Sequence, residues 1–404
     1  MAQLNITLES DIVKGLFLSQ APEALVPLME SILNQFLEAQ ATEVVGASKY
    51  ERSEGRTCYR NGSRERTLKT RIGTLMLDVP RLRGGEFSHE LFARYQRSEQ
   101  ALVLAMMEMV LQGVSTRKVS RITEELCGTS FSKSTVSALC EGLDESVQVF
   151  RRRPLEKRVP FVLLDAMVLK VREGGRVRSK ALMIAIGVNQ QGYREVLGCE
   201  IWNGETHLGW KSFLESLAAR GLRQVELVVS DAHQGLVRAL QEVFLGASWQ
   251  RCQVHFTRNI QDVCPTKVKP ELLEDLRELW TSRDLEVARE RLCVILEKYA
   301  KLASKSMDVL EQGFDDAMAV MSLPVKYRRR LRTTNALERL NQEIRRRERV
   351  IRIFPNEASA IRLLGALLCE QSEKWLSGRK WLDMNEYWLS KDAQKTMPQE
   401  EEAA

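Results

Sequence analysis

Val159-Pro160-Phe161-Val162-Leu163-Leu164-Asp165-Ala166-Met167-Val168-Leu169 sets one carboxylate inside an otherwise almost wholly apolar run. A segment this short, rich in β-branched and large apolar residues and followed by a polar turn over residues 170–178, reads as a strand buried on both faces. A carboxylate there loses its hydration at high cost unless a cation, a base or hydrogen-bond donors meet it. Asp165 is therefore either a satisfied structural residue at a strand end or part of a site.

Reading onward, residues 179–188 and 193–202 continue the extended pattern, with Gly174-Gly175 and Gln190-Gln191-Gly192 as turns. That gives three adjacent antiparallel strands. Residues 206–220 carry helical amphipathicity, and residues 224–230 form a fourth strand (Val225, Leu227, Val228, Val229) ending in Ser230-Asp231. A helix covers residues 237–245, a fifth strand residues 249–254, and another helix follows. Three antiparallel strands, then two alternating with helices, is the order of a ribonuclease H-like fold with a mixed five-stranded sheet. In that order strand four lies beside strand one, so Asp231 faces Asp165 across adjacent strand ends. Like charges that close raise each other's proton affinity unless a divalent cation separates them, and oxygen-only ligation suits Mg²⁺ or Mn²⁺.

A third ligand is expected from a helix packed on that sheet edge. In Thr333-Thr334-Asn335-Ala336-Leu337-Glu338-Arg339-Leu340-Asn341, the residues Leu337, Leu340 and Ile344 make the apolar stripe, and Glu338 lies one residue round from it. The same letters also read as a capping box, with Asn335 as N-cap and Glu338 three residues on, a stability device with no chemistry. Asn341 and Arg345 extend the face of Glu338 with groups suited to phosphate.

Toward the amino terminus, residues 22–47 carry apolar residues at helical spacing and describe one amphipathic helix, which either covers the fold or pairs with a second subunit. Residues 50–83 are polar and basic, with Arg52, Arg56, Arg60, Arg64, Arg66 and Arg71 spaced to line a phosphate backbone and a hairpin strand at residues 70–81. A helix over residues 101–112 is followed by a second, capped by Ser115-Thr116 and running through Leu126. After a turn at Gly128-Thr129, a third helix starts at Ser132 or Ser134 and carries Val136, Leu139, Leu143 and Val147. That is the spacing of a helix-turn-helix, with Lys133, Ser134, Thr135 and Ser137 opening the recognition helix; any three-helix bundle has a similar look. Arg151-Arg152-Arg153-Pro154 reads as a linker.

The 404 residues suffice for two or three domains. The net charge of +6 is unevenly spread. Residues 49–83 hold ten Lys/Arg against four Asp/Glu, and residues 323–352 hold eleven against three, for nets of +6 and +8. Two such segments on a chain near neutral elsewhere point to a polyanionic partner, where one alone reads as a solvated face. Eight scattered cysteines without a CxxC pair, and no signal peptide, fit reduced thiols and a cytoplasmic, nucleoid-associated location. No apolar run approaches the roughly 18 to 20 residues of a membrane span, so no membrane partner is expected.

Leu164-Asp165-Ala166, the run from Val229 through Leu236, the run from Trp249 through Phe256, the run from Arg332 through Asn341 and Phe354-Pro355-Asn356 together resemble the bacterial insertion-sequence transposases of the Mutator-type (MULE-related) family. Tyr59-Arg60-Asn61-Gly62 and Val79-Pro80-Arg81-Leu82-Arg83 extend the likeness to nearly the whole chain. The resemblance implies a DDE triad of Asp165, Asp231 and Glu338, separated by 66 and 107 residues. Its Cys-x-x-His signature matches Cys252 and His255. A second pair for a zinc site is lacking, so a structural or DNA-proximal role at the edge of the active site is expected for these two. His233 either orients a phosphate or water or simply bonds its neighbouring carboxylate. Ala166 stands where some relatives have Gly.

The fold implied is α+β and multidomain: a helical segment (1–48), a basic segment (49–98), a helix-turn-helix domain (99–154), a ribonuclease H-like core (155–264), an all-α insertion (265–322), a final core helix with Glu338 (323–352), and a helical carboxyl-terminal segment with an acidic tail (353–404). Trp280 is read as filling the core of the insertion. The implied activity is Mg²⁺- or Mn²⁺-dependent cleavage and strand transfer on double-stranded DNA with two ions, acting on terminal inverted repeats and target DNA, with a homodimer on DNA. Arg345 and Arg346 would serve that chemistry, and Asn341, His233, Cys252 and His255 would border it. Two alternatives stay open: a helix-turn-helix regulator whose carboxylates are structural, and a structure-specific nuclease of the same fold.

Overall fold

Along Gly73–Arg83 the apolar residues Leu75, Leu77 and Val79 are buried while Thr74, Met76 and Asp78 are exposed, the period-two signature of a strand with one face on a core. This strand (β2) pairs antiparallel with β1 (Tyr59–Thr70) in the computed structural model, which describes residues 6–18, 21–51, 55–83 and 98–396. Arg52, residues 84–97 of the basic segment and the acidic tail over residues 397–404 lie outside the described residues. The chain divides into two units, Met1–Gly142 and Leu143–Ala404.

In the first unit α1 (Ser10–Leu18) precedes α2 (Ala21–Val45), and Val26, Met29, Leu33 and Leu37 of α2 cover the apolar face of the hairpin at Leu68, Leu75, Leu77 and Val79. Arg60, expected along a phosphate backbone, turns inward instead. It donates to Glu38 (3.1 Å), the Ala47 carbonyl (2.8 Å) and Thr42 (2.6 Å), tying β1 to α2. Then come α3 (Gln100–Leu111), α4 (Thr116–Cys127) and α5 (Lys133–Leu139) around Leu102, Met106, Val119, Phe131 and Val136. Ser115 accepts from Lys118 N–H and Ser132 from Thr135 N–H, and Gly128 ends α4 at φ +59°, where a side chain would be strained.

The third helix was expected to continue through Val147, but α5 stops at Leu139. A 3₁₀ turn, Cys140–Leu143, follows, and α6 (Asp144–Arg152) begins the second unit. Gly142 disfavours a helix interior, and Asp144-Glu145 favour the start of a new one. Helix α6 is held within the second unit, where Arg362 grips Asp144 with two bonds of 2.6 and 2.7 Å and Val147 fills the space over Gly365. The division therefore falls before residue 154.

The second unit is built on β3 (Phe161–Glu173), β4 (Arg176–Val188), β5 (Arg194–Trp202), β6 (Leu227–Ser230) and β7 (Ser248–Arg251), in the order β5-β4-β3-β6-β7. The first three are antiparallel; β6 and β7 run parallel to β3. Val162, Leu164 and Leu197 face α7 (His207–Ala219) and α8 (Gln234–Val243) through Trp210, Phe213, Leu236 and Leu240. Strand five ends at Arg251 rather than residue 254: Cys252 N–H makes the last rung of the ladder, to the Ser230 carbonyl (2.7 Å), and α9 (Gln253–Asp262) begins at the next residue.

Helices α9, α10 (Lys269–Trp280), α11 (Leu285–Tyr299) and α12 (Ser304–Met318) enclose their own core of Phe256, Leu272, Leu276, Leu279, Leu310 and Phe314. Trp280 belongs to it, with its indole N–H on Thr257 (2.9 Å). The buried amides of Gln250 and Gln253 both donate to the Ala317 carbonyl, fastening α12 to the sheet edge. The chain returns through α13 (Val325–Leu331) and α14 (Asn335–Ile351), bridges β3 at Phe354 and ends in α15 (Glu357–Leu376) and α16 (Asn385–Thr396). Among the described residues no helix is long and apolar enough to cross a membrane.

Candidate active site

The pairing Phe161–Leu227, Val162–Val228, Leu163–Val229, continued two residues, sets Asp165 opposite Asp231. Asp165 is one of the few carboxylates within the sheet. Its Oδ1 accepts from Ala166 N–H (2.9 Å) and its Oδ2 from the Asn341 amide (2.5 Å). Burial pushes its pKa above the usual carboxylate range; the two donors pull it down, the Asp231 charge adds to the rise and His255 opposes it.

Asn341 reaches Asp165 because α14 lies along this face of the sheet, with Leu337, Leu340 and Ile344 buried beneath it. The helix start is pinned by a buried sulfur. Thr334 N–H donates to Cys252 Sγ (3.4 Å), and the Thr334 hydroxyl lies 3.3 Å from it. Cys252 also donates its own N–H to Ser230, the residue before Asp231, so one residue joins the end of β6 to the start of α14. Burial works to raise the Cys252 thiol, but His255 and Thr334 outweigh it and leave it below its ordinary value. The His255 imidazole is held above its ordinary value, chiefly by the Cys252 sulfur, with burial opposing and Asp165 and Asp231 adding.

Glu338 does not close a capping box. Thr334, not Asn335, is the N-cap residue, and it makes no side-chain cap. Glu338 lies one turn before Asn341 on the same helix, partly exposed, and its carboxylate has no hydrogen-bond or ion-pair partner among the described residues. Among the described residues no three His, Cys, Asp or Glu side chains converge closely enough to hold one ion. His233 is the N-cap residue of α8, with its N–H 3.4 Å from Asp231 Oδ1.

One carboxylate escaped the sequence analysis. Glu205 precedes α7, where Gly204 takes φ +112° and Thr206 caps the helix. The starts of α7 and α8 touch at Gly235, whose Cβ would fall 2.8 Å from His207 N. Burial raises the Glu205 pKa, Asp231 and Asp165 add to that, and His233 opposes it. A lone Glu at a helix start carries no pattern; only its setting in Gly204-Glu205-Thr206, beside a tight loop, was there to be read.

Do these residues suit divalent cations? Asp165 and Asp231 offer hard oxygen donors beside each other in a half-buried setting, and Asp165 spends only two lone pairs on protein donors. Among the described residues Asn341 Oδ1, His233 Nδ1 and His255 Nδ1 are buried without a protein partner, and buried polar atoms of this kind call for a polar guest. The aspartate pair fits such an ion.

The remaining expected residues lie elsewhere. Lys133, Ser134, Thr135 and Ser137 are exposed at the start of α5, Arg64 is exposed and Arg66 partly buried on β1, and Arg345 and Arg346 are exposed on α14 near Glu348 (3.9 Å) and Glu343 (3.2 Å).

The family model described as "Transposase, Mutator family" matches residues 2–378. The chain is 46% identical over 377 residues to the transposase for insertion sequence element ISRM5 of Rhizobium meliloti (strain 1021), covering 93% of this chain and 94% of that protein. It is 44% identical over 390 residues to the transposase for IS256 in transposon Tn4001 of Staphylococcus aureus, covering 95% and 100%. To the transposase for IS1081 of Mycobacterium tuberculosis (strain ATCC 25618 / H37Rv) it is 39% identical over 370 residues, covering 91% and 89%.

Proposed function

Because the chain belongs to the Mutator family of transposases, we propose that it is the transposase of an insertion sequence, binding the element's terminal inverted repeats and cutting and joining DNA at Asp165 and Asp231. The observation that carries this reading is the meeting of those two carboxylates across adjacent parallel strands with Asn341 of α14 on one of them. On this reading the sheet, in the order β5-β4-β3-β6-β7, is a ribonuclease H-like core, and residues 265–322 are the all-α insertion in it.

Asp165, Asp231 and Glu338 would hold two Mg²⁺ or Mn²⁺ ions, which when bound acidify water and stabilise a leaving 3′ oxygen. The protein's own groups prepare that centre. Asn341 and Ala166 N–H fix the Asp165 carboxylate in one orientation. His255 lies close enough to the aspartate pair for their charges to add to its proton affinity, and Cys252 holds the start of α14 against the sheet. No side chain is needed as a covalent nucleophile.

DNA contacts are assigned by exposure and chemistry. Helices α3 to α5 form a helix-turn-helix in which Lys133, Ser134, Thr135 and Ser137 enter the major groove. Arg64 and Arg66 face the backbone, with Arg60 shaping the hairpin beneath them, and Arg345 and Arg346 serve the strand being cut. A homodimer on paired ends is the assembly that reading calls for.

The test is cleavage of an end-containing duplex by the full chain with Mg²⁺ and with chelator. Asp165→Asn and Asp231→Asn should each lower the rate at least about a hundredfold while end binding and folding stay intact; Glu338→Gln should do the same. A variant that cuts at the wild-type rate removes its residue from the site. Metal-independent end binding with no cleavage by the wild type would favour a DNA-binding regulator instead.

A further inference from the structure

Three guanidinium groups of the second unit lie near enough to act on one another. Arg194 opens β5, Arg330 lies in α13 and Arg339 follows Glu338 in α14, and none of the three has a hydrogen bond or ion pair among the described residues. Arg194 is half-buried; burial and then the charges of Arg330 and Arg339 push its pKa down to about 10. Several other cations of this unit are paired: Lys180 sits between Glu173 (2.9 Å) and Glu357 (2.8 Å), Arg153 meets Glu195 (3.2 Å) and Arg158 meets Glu226 (2.9 Å). An uncompensated cluster lowers stability, and its charge is offset when a polyanion binds.

Two of the three, Arg194 and Arg330, also lie over aromatic rings. The Arg194 guanidinium carbon lies 4.4 Å from the Trp375 ring centre and 5.3 Å from that of Trp381, and Arg330 lies 5.8 Å from Trp381. Trp381 is fixed in turn, since its N–H and that of Leu382 donate to the Gly192 carbonyl (2.8 and 3.1 Å). Gly192 has φ +91° and no room for a Cβ, which would fall 1.9 Å from the Leu382 carbonyl oxygen. A stacked guanidinium keeps its in-plane donors free and ordered for phosphate.

Arg194 pairs with Val188, and Val188 with Phe161, four residues before Asp165. At about 3.3 Å per strand residue and about 4.8 Å between strands, the Arg194 backbone stands about 16 Å from that of Asp165. Arg339 shares α14 with Glu338 and Asn341. Duplex DNA presents a phosphate on each strand every 3.4 Å or so of its axis. The geometry points to Arg194, Arg330 and Arg339 as a clamp on the DNA backbone within about five base pairs of the phosphodiester held at Asp165 and Asp231. This inference depends on the DNA-cleaving reading of the aspartate pair.

The exposed pair carries the test, because Arg194→Gln disturbs the tryptophan platform. Binding of the full-length chain to an end-containing duplex is measured against salt for wild type and Arg330→Gln/Arg339→Gln, with unfolding curves as a control for folding. The double variant should lose about 0.9 from the slope of log K against log salt for each phosphate contact removed. Ethylation of phosphates within about five base pairs of the cut should interfere with wild-type binding and cease to interfere with the variant's. An unchanged slope and interference map, in a wild type that binds and cuts, overturns the clamp alone; a wild type that binds no DNA overturns the transposase reading with it. If inorganic phosphate protects the wild type from unfolding more than chloride at equal ionic strength, the variant loses that protection and the DNA slope is unchanged, the cluster belongs to a free anion and the DNA clamp falls.

Discussion

The two basic segments, residues 49–83 and 323–352, are near twins in composition and unlike in use. In the first, Arg60 is spent on Glu38, Thr42 and Ala47, Arg71 on Glu99 (2.9 Å), and Arg56 on the Glu51 carbonyl and the Tyr59 ring. Arg64 stays exposed with no hydrogen bond or ion pair among the described residues. In the second, Arg328 bonds the carbonyls of Leu323 and Arg283, Arg332 that of Trp280, and Arg347 lies buried on Glu343, while Arg330 and Arg339 are unpaired. A count of charges locates a polyanion-binding region. It does not say which charges are free to bind, because many arginines are consumed satisfying carbonyls at helix ends and turns.

Three substitutions can break that division between spent and free arginines. The largest effect is expected at Arg347, whose side chain is 4% exposed. Arg347→Ala removes both the packed stem and the bonds to Glu343, and should lower unfolding stability by about 3 kcal/mol; a denaturant titration reads it. Arg60→Ala should cost about 2 kcal/mol by the same measurement, since two of its three partners are neutral. Arg64→Gln should leave stability within about 0.5 kcal/mol of wild type and instead flatten the salt dependence of end binding by about 0.9 in slope. Equal destabilisation by Arg60→Ala and Arg64→Gln would dissolve the distinction in the first segment.

The strands were legible because buried strands are written in unbroken apolar runs, as at 161–164 and 227–229, and the meeting of Asp165 with Asp231 follows from their order alone. The limits of α4 were equally plain in Ser115 and Gly128, and of the two starts open for α5, Ser132 and Ser134, the structure takes Ser132 as the cap. The break after α5 was not. Val136, Leu139, Leu143 and Val147 keep helical spacing across it, and what divides them is Gly142 together with contacts from Arg362 and Gly365, far along the chain. Asn335 lost its expected capping place for a similar reason: Thr334 is claimed by the Cys252 sulfur, a partner 82 residues away. Glu205 and Arg194 had no spacing to betray them. Each matters only because distant segments bring other charges to it.

The backbone bond from Gln253 N–H to the Arg332 carbonyl, at 3.0 Å, has an evolutionary consequence. The chain leaves the sheet for its helical excursion and comes back at one point, so the two ends of the excursion are already together whatever lies between them. Lengthening it costs only the slow logarithmic growth of loop closure, about 0.6 kcal/mol per doubling, and the excursion has an apolar interior of its own. Descendants of this gene can therefore gain, lose or exchange helices there without moving Asp165, Asp231 or Glu338, and size differences among relatives should concentrate between positions 253 and 332.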